Sequence, residues 1–224
     1  MRRFLRESSL SLVFGALFVL ALVGQAFAGW KQFNAEQTAG GFGRLGLLDY
    51  LTSADWAVDV AENWQSEYLQ FTLFILLTVW LVQKGSPESK ELGKAGRESL
   101  QDQKLGSYAK AGSPAWAKAG GWRTSLYSNS LVLVMAAIFF ASWLIQSIAG
   151  EAAFNETRLQ QLQAPISWSQ YVVNPDFWAR TLQNWQSEFL AVGTMVVYSI
   201  YLRQRGSPES KPVGAPHEST GIEG

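Results

Sequence analysis

Four apolar runs divide the chain, and polar or glycine-rich segments separate them. Two of these runs, Leu10–Phe27 and Leu131–Ala149, are nearly free of charge over about 18 to 20 residues. A helix of that length rises about 1.5 Å per residue and crosses a hydrocarbon core of roughly 30 Å. The pattern therefore predicts two transmembrane helices, over residues 9–29 and 130–150.

The other two apolar runs are shorter, and each needs polar residues to complete a span. Tyr68–Val82 and Phe189–Leu202 hold about 15 residues each, which is too few for the hydrocarbon core. A basic residue marks one end of each run, and counting about twenty residues back reaches Asn63 and Asn184. We therefore predict two further transmembrane helices, over residues 63–84 and 184–205.

An internal repeat relates the two pairs of helices. The string Asn-Trp-Gln-Ser-Glu at residues 63–67 recurs at 184–188, and Gly-Ser-Pro-Glu-Ser-Lys at 85–90 recurs at 206–211, both with an offset of 121. About 27 of 85 positions are identical when residues 6–90 are compared with 127–211 without a gap. Each repeat enters and leaves on one side, so the two repeats have the same orientation.

The predicted fold is an all-α integral membrane protein: four transmembrane helices as two parallel two-helix repeats, with amphipathic surface helices on the outer side. The first repeat covers residues 1–90 and the second covers 122–211. Residues 91–121 are rich in Gly, Ser, Lys and Glu, which is typical of a flexible linker, and residues 212–224 are expected to be disordered. Asp55 and Asp176 are the expected N-caps of the surface helices that lead into the second and fourth spans.

The charge distribution predicts the orientation. The chain has 18 basic and 18 acidic residues, and this balance argues against a nucleic-acid partner. Fourteen of the 18 basic residues lie in the termini and the linker, and only four lie in the two long loops. By the positive-inside rule, both termini and the linker face the cytoplasm.

The N-terminus also resembles a cleavable secretory signal, because arginines precede an apolar stretch that ends in Ala26-Phe27-Ala28. The repeat argues against cleavage. Much of the segment recurs inside the chain around residues 130–150, where a signal peptide cannot occur.

Candidate catalytic chemistry is sparse. The chain has no Cys, which excludes disulfides, thiol nucleophiles and thiolate metal sites, and its single histidine, His217, lies in the polar tail. There is no serine nucleophile elbow and no phosphate-binding glycine loop. We therefore expect no enzymatic activity, no cofactor and no metal site.

The repeated hexapeptide follows each short apolar run and has two interpretations. A glycine after the last helical residues can adopt the left-handed cap conformation, and a proline two residues later prevents further helix. This reading predicts helix stops at Gly85, Pro87, Gly206 and Pro208. The identical Glu, Ser and Lys that follow leave a second interpretation open, a cytoplasmic docking epitope.

The repeated pentapeptide carries aromatic and acidic candidates. Trp64 and Trp185 fall at the predicted outer boundary, where aromatic residues anchor a span, although packing is an alternative. Glu67 and Glu188 lie about one turn deeper. Each carboxylate either reaches water while it favours the helix macrodipole, or it belongs to a polar layer between helices.

Depth matching predicts the members of that layer. Glutamines near the outer ends of the first and third helices lie at the height of the two glutamates, and an asparagine precedes each glutamate by four residues on the same face. Such a cluster would hold the bundle by hydrogen bonds, or bind a cation or proton. Its candidate members are Gln25, Asn63, Glu67, Gln146, Asn184 and Glu188.

The paired motifs, with the Gly-Gln-Ala end of the first apolar run at residues 24–26, resemble an uncharacterised family of bacterial membrane proteins known only as a domain of unknown function. The resemblance covers most of the chain except the middle of the linker. It implies a multi-pass protein of the bacterial cytoplasmic membrane with four helices. It implies no activity, substrate or catalytic residue.

Two functions compete on this basis. A bundle of four spans with few intramembrane charges favours an accessory or scaffolding component that works by helix packing. Its partners would be the lipid bilayer and either further copies of itself or a larger membrane complex. The alternative is a small ion or proton transporter or channel that uses the paired Glu and Gln layer.

Overall fold

The computed structural model describes residues 2–222 and contains helices and no strands in that range. Nine α-helices follow one another there, with one turn of 3-10 helix at Gly106–Tyr108. The helices are α1 Arg2–Glu7, α2 Ser9–Ala39, α3 Leu47–Leu51, α4 Ala54–Leu77, α5 Ala115–Ala119, α6 Gly121–Ser128, α7 Ser130–Gln160, α8 Trp168–Tyr171 and α9 Pro175–Tyr201.

The four long helices overlap the four predicted spans, but their ends differ. Helices α2 and α7 continue about ten residues beyond the predicted ends at 29 and 150, because no Gly or Pro interrupts those extensions. Helices α4 and α9 begin nine residues before the predicted starts at 63 and 184. They end at Leu77 and Tyr201, earlier than predicted.

The residues that cap α4 and α9 also differ from the prediction. The Ser53 hydroxyl accepts a hydrogen bond from the Trp56 amide at 3.3 Å, and the Asn174 side chain accepts one from the Asp176 amide at 2.9 Å. Asp55 and Asp176 lie in the first turns instead, where a negative charge favours the helix macrodipole. The caps are therefore the serine and the asparagine that precede these acids.

Two helices within residues 2–222, α2 and α7, are long and apolar enough to cross a membrane. Each has 31 residues, which at about 1.5 Å per residue gives a length of about 46 Å. This length exceeds a hydrocarbon core of roughly 30 Å, so each helix has residues to spare for a polar extension.

The chain divides into two compact units. Unit I takes the residues up to Val60 together with Ile145–Tyr171, and unit II takes Ala61–Leu144 and the residues from Val172 onward. Unit I therefore contains α2, α3, α8 and the second half of α7. Unit II contains most of α4, the first half of α7, the linker, α9 and the described part of the tail.

In unit I, the same loop anchor forms twice. The Asn34 side chain accepts a hydrogen bond from the Leu45 amide at 2.7 Å and donates one to the Leu45 carbonyl at 3.0 Å. Asn155 makes the same two bonds to Ile166, both at 2.8 Å. An asparagine can serve both groups of one residue because its amide is both donor and acceptor. The contact recurs at the offset of 121 that the sequence shows.

A second repeated contact in unit I packs a tyrosine against a glycine. Tyr50 and Tyr171 are both buried, and a Cβ atom on Gly29 or on Gly150 would overlap the hydroxyl of the facing tyrosine. Burial raises the pKa of Tyr50, and the negative charge of Asp59 raises it further, so the phenol stays neutral. Glycine at both positions leaves room for the tyrosine hydroxyl, which a side chain would displace.

The linker of unit II contains local structure that we did not predict. It holds the 3-10 turn, α5 and the start of α6. The Lys118 ammonium donates to the Ala111 carbonyl at 2.9 Å, and the rings of Trp116 and Trp122 pack edge to face with centroids 6.0 Å apart. These contacts fold the second half of the linker onto itself.

Candidate functional site

The predicted polar cluster is divided between the two units. Unit I contains Gln25 and Gln146, whereas unit II contains Asn63, Glu67, Asn184 and Glu188. The six-residue cluster as a whole stays a prediction, and its members are described below within their own units.

In unit II, the two glutamates come within electrostatic range of each other. Glu188 is half-buried and senses the charge of Glu67, which is exposed. Asn184 donates a hydrogen bond to the Arg180 carbonyl at 3.0 Å, one turn earlier in its own helix. Asn63 is exposed. The two carboxylates thus interact through their charges, while the Asn184 amide bonds within α9.

In unit I, the two glutamines occupy opposite environments. Gln146 of α7 is fully buried, whereas Gln25 of α2 is exposed. The Gln25 amide makes no hydrogen bond with any residue of the described range 2–222. An amide without a hydrogen-bond partner in an apolar medium costs several kcal/mol by order of magnitude, so this side chain needs a partner from outside the chain if α2 lies in a membrane.

The surface around Gln25 is apolar. Helix α2 exposes Phe14, Phe18 and, nearer the outer end, the small residues Ala21 and Ala28. At 3.6 residues per turn these positions lie on the same face as Gln25. This face, defined by Phe14, Phe18, Ala21, Gln25 and Ala28, is called the Gln25 face below.

The repeated pentapeptide contains a buried residue that sequence reasoning missed. Gln65 is fully buried, and its side-chain oxygen accepts a hydrogen bond from the Trp185 indole at 2.8 Å. Its amide nitrogen donates to the Glu62 carbonyl at 3.1 Å. The equivalent Gln186 is exposed. Since the two pentapeptides are identical, nothing within them could distinguish the buried copy from the exposed one.

An aromatic cluster surrounds this hydrogen bond in unit II. The Trp143 ring of α7 lies 5.6 Å from Phe139, 6.1 Å from Phe177 and 5.9 Å from Trp185, measured between centroids. Trp185 therefore packs α9 against α7 in addition to any role at a membrane boundary. Trp64 is partly exposed, in an environment unlike that of its repeat equivalent.

An ion pair continues the contact between α4 and α9. The Arg180 guanidinium lies 3.2 Å from the Glu62 carboxylate and 3.6 Å from that of Asp176. Together with the bond between Gln65 and Trp185, it joins the two helices through polar groups. We did not predict either contact.

The repeated hexapeptide forms the same turn in both copies, beyond the ends of the helices. The Ser89 hydroxyl accepts a hydrogen bond from the Gln83 amide at 2.7 Å, and Ser210 does the same for Gln204 at 2.9 Å. The first glycine of each copy has a positive φ, 88° at Gly85 and 83° at Gly206. Since α4 and α9 end earlier, Gly85, Pro87, Gly206 and Pro208 do not terminate these helices, which corrects the helix-stop prediction.

The two hexapeptides meet at the Lys211 ammonium. Lys211 is 1% exposed, and its ammonium donates to the carbonyl of Gly85 in the first hexapeptide at 2.6 Å. Burial lowers the pKa of Lys211, and the nearby Arg203 charge lowers it further. A buried ammonium needs acceptors, and three more carbonyls lie within 3.3 Å, those of Pro216, His217 and Ser219.

The tail segment expected to be disordered supplies those acceptors. Its residues up to 222 also contact the first hexapeptide: the Gly85 amide donates to the Thr220 hydroxyl at 2.8 Å, and the Gly221 amide donates to the Ser86 carbonyl at 3.1 Å. A Cβ atom on Gly85 would lie 2.6 Å from the His217 carbonyl. Residues 212–222 therefore make defined contacts that composition did not indicate, and the disorder expected of this segment stays a prediction. Residues 223–224 lie outside the described range.

The model of a protein family described as Domain of unknown function (DUF6766) matches residues 1–222. The chain belongs to this family. The match confirms the expected likeness to an uncharacterised family. No curated protein and no solved structure matches the chain.

Membership in DUF6766 assigns no activity to the chain. The features that sequence reasoning missed are Gln65, Arg180, Lys211 and the tail. For Lys211, the sequence did contain a signal of a structural role: the lysine is identical in both hexapeptides, whereas a simple helix stop requires only their Gly and Pro.

Proposed function

We propose that the chain is a multi-pass membrane protein that acts as an accessory or scaffolding component through helix packing, without enzymatic activity. We further propose that the Gln25 face of α2 packs against a second copy of the chain. The observation that carries the proposal is the exposed Gln25 amide in the middle of an exposed apolar helix. A side chain of this kind gains most from a neighbouring helix.

The proposed membrane arrangement has four spanning helices in two parallel repeats, with both termini on the cytoplasmic side of a bacterial inner membrane. The length and apolar character of α2 and α7 support two of the spans. The contacts of Asn34 and Asn155, which recur at the offset of 121, support the repeat. The excess of basic residues in the termini and linker supports the orientation.

A second copy suits this face for a chemical reason. A two-fold axis brings each residue near its own equivalent, and a glutamine amide is both donor and acceptor. Two Gln25 side chains can therefore satisfy each other across the axis. Ala21 and Ala28 flank them one turn away on either side, and small side chains allow two helix backbones to approach closely.

Disulfide cross-linking tests which face of α2 makes the contact. The chain has no Cys, so single cysteines can be introduced without removing any native residue of that type. We expect Ala21→Cys and Ala28→Cys to cross-link between copies in membranes under mild oxidation. Ala16→Cys and Val23→Cys, on the opposite face, should not. Equal cross-linking on both faces, or none at any position, would overturn the proposal.

A second experiment measures the contribution of the amide. Hydrogen bonds between membrane helices contribute about 0.6 to 2 kcal/mol, so Gln25→Leu should weaken self-association by roughly 3- to 30-fold. Energy transfer between labelled copies in vesicles, titrated with lipid, provides the measurement. Gln186→Leu, which removes another exposed amide, is the control and should associate as the parent does.

Purification of a tagged copy from its native membrane in mild detergent, followed by native mass spectrometry, identifies the occupant directly. We expect a complex of this chain with itself. A stoichiometric foreign subunit would keep the accessory role and replace the second copy as the partner. A monomer in both detergent and membrane would count against packing as the function.

The charge interaction between Glu67 and Glu188 favours one alternative, a small ion or proton transporter. In that case Glu67→Gln combined with Glu188→Gln should abolish flux in proteoliposomes while the helical content stays unchanged. Glu156→Gln, in the other compact unit, is the control. If the parent protein carries no flux under any imposed gradient, the transporter alternative fails.

A further inference from the structure

Unit II contains a cavity of about 700 Å³ where the end of α4 and the start of α7 meet the linker. Its volume falls in the range of small-molecule binding sites. One wall is apolar; it consists of Ile75 and Leu76 of α4, Val79 and Trp80 just beyond the end of α4, and Leu131 and Val132 of α7. A polar wall comes from the first hexapeptide, the linker and α6; it includes Lys90, Arg97, Glu98 and Ser125, with Leu100 and Leu105 of the linker beside them.

A backbone hydrogen bond holds the polar wall against the apolar one. The Gly96 amide donates to the Val79 carbonyl at 2.6 Å, just beyond the end of α4. This bond places the next residue, Arg97, at the edge of the apolar wall. The position of Arg97 is thus set by the backbone rather than by contacts of its own side chain.

The two basic residues that line the cavity differ in whether they have hydrogen-bond or ion-pair partners. The Lys90 ammonium donates to the Gly96 carbonyl at 2.9 Å and pairs with the Glu98 carboxylate at 3.2 Å. Arg97, in contrast, is exposed and makes no hydrogen bond or ion pair with any residue between 2 and 222. Its guanidinium offers five N–H donors in a fork that matches a phosphate or carboxylate group. The Ser125 hydroxyl, which also lines the cavity, has no partner in the same range.

We infer that this cavity binds an anionic amphiphile, with its phosphate or carboxylate on Arg97 and Ser125 and the first part of its acyl chain against Leu76, Val79 and Leu131. The two walls suit the two halves of such a molecule. If α4 and α7 span the membrane as proposed, the cavity lies at the cytoplasmic boundary, where lipid headgroups are found. The inference rests on that membrane arrangement, and it does not require self-association through α2.

Lipid retention by the full-length protein tests the inference. The protein is purified from vesicles of phosphatidylcholine that contain a minor share of phosphatidylglycerol, and native mass spectrometry measures which lipid stays bound. We expect phosphatidylglycerol to be retained in excess of its share. Arg97→Gln should reduce this retention about tenfold, because a charge-assisted hydrogen bond is lost. Lys110→Gln, an exposed basic residue of the same linker outside the cavity, should change it less than twofold.

Inorganic phosphate distinguishes a lipid from a free anion. We expect millimolar phosphate to displace little phosphatidylglycerol, because it cannot use the apolar wall. Displacement by phosphate alone would show that the site takes a free anion and would overturn the amphiphile. Equal retention of the two lipids, or equal losses in Arg97→Gln and Lys110→Gln, would overturn the site.

Repeating the retention measurement on the Gln25→Leu variant separates this inference from self-association. We expect retention to be unchanged there, even where the copies no longer associate. A loss of retention in Gln25→Leu equal to that in Arg97→Gln would show that lipid binds between copies instead of in the cavity. Because Arg97 is exposed, we expect Arg97→Gln to fold as the parent does. Circular dichroism of the variant checks this.

Discussion

Helices α2 and α7 open the two repeats and have the same length, but they have different surroundings. Phe139 of α7 is 5% exposed, whereas its repeat equivalent Phe18 is 49% exposed. The glutamines seven residues after these phenylalanines show the same contrast, since Gln146 is buried and Gln25 is exposed. Two positions that are identical in the two helices are thus buried in α7 and exposed in α2.

One difference between the helices accounts for part of this contrast. Trp143 of α7 stacks near Phe177 and Trp185 of α9, whereas the equivalent position of α2 carries Leu22. A tryptophan buries more surface than a leucine and interacts with other rings over 4.5 to 7 Å in general. Positions that differ between the two helices, such as Trp143 and Leu22, therefore influence which residues each helix packs against.

The largest expected effect comes from truncating the equivalent phenylalanines. Phe139→Ala removes a ring from the aromatic cluster and should lower the free energy of unfolding by about 3 kcal/mol, mainly through the cavity it leaves. Phe18→Ala should lower it by less than about 1 kcal/mol, because that ring is half exposed. Unfolding by SDS in mixed micelles, followed by circular dichroism, measures both. Equal losses in the two variants would show that α2 is packed as α7 is.

The second comparison concerns the two hexapeptide lysines. Lys211→Met removes an ammonium that serves four carbonyls, and hydrogen bonds to charged groups contribute about 1.5 to 3 kcal/mol, so amide exchange at Gly85 and Gly221 should accelerate about 10- to 100-fold. Lys90→Met removes a partly exposed ion pair and should accelerate exchange at most about fivefold. Hydrogen exchange read by mass spectrometry gives both rates. Similar rates in the two variants would contradict the structural role of Lys211.

The smallest effect is expected at the two pentapeptide glutamines. Gln65→Leu leaves the Trp185 indole without its acceptor and should cost about 1 kcal/mol of unfolding free energy. Gln186→Leu, on the exposed copy, should change it by no more than about 0.5 kcal/mol. The same SDS titration applies, and Trp185→Phe provides the reciprocal variant. If Gln65→Leu adds no further loss to Trp185→Phe, the bond between them is the source of the effect.

Several elements could be read from the sequence, and the reasons are physical. The apolar runs that begin near Leu10 and Leu131 located α2 and α7, because a window of that length and polarity leaves few alternatives to a long helix. The ends of the helices were harder to predict from the sequence. Ser53 and Asn174 compete with nearby acids for the cap, and only the backbone geometry decides between them.

Only part of the candidate site could be predicted from the sequence. The glutamates at 67 and 188 were singled out by their position near the outer ends of two predicted spans, whereas both lie in the interior of long helices, α4 and α9. The contacts of Gln65 and Lys211 could not be predicted, because each partner lies more than a hundred residues away in the chain. Composition also suggested a disordered tail, since it cannot show that tail carbonyls solvate a buried ammonium.

The sequence by itself determined the matching strings at an offset of 121, the helical class and the approximate positions of the long helices, because these depend on local periodicity and on strings that can be compared directly. Only the tertiary structure decided which copy of each repeated residue is buried. Burial depends on what the neighbouring helices present, and identical pentapeptides therefore place Gln65 inside and Gln186 outside. The two copies of a motif are identical in sequence, but packing against different neighbours gives them different environments.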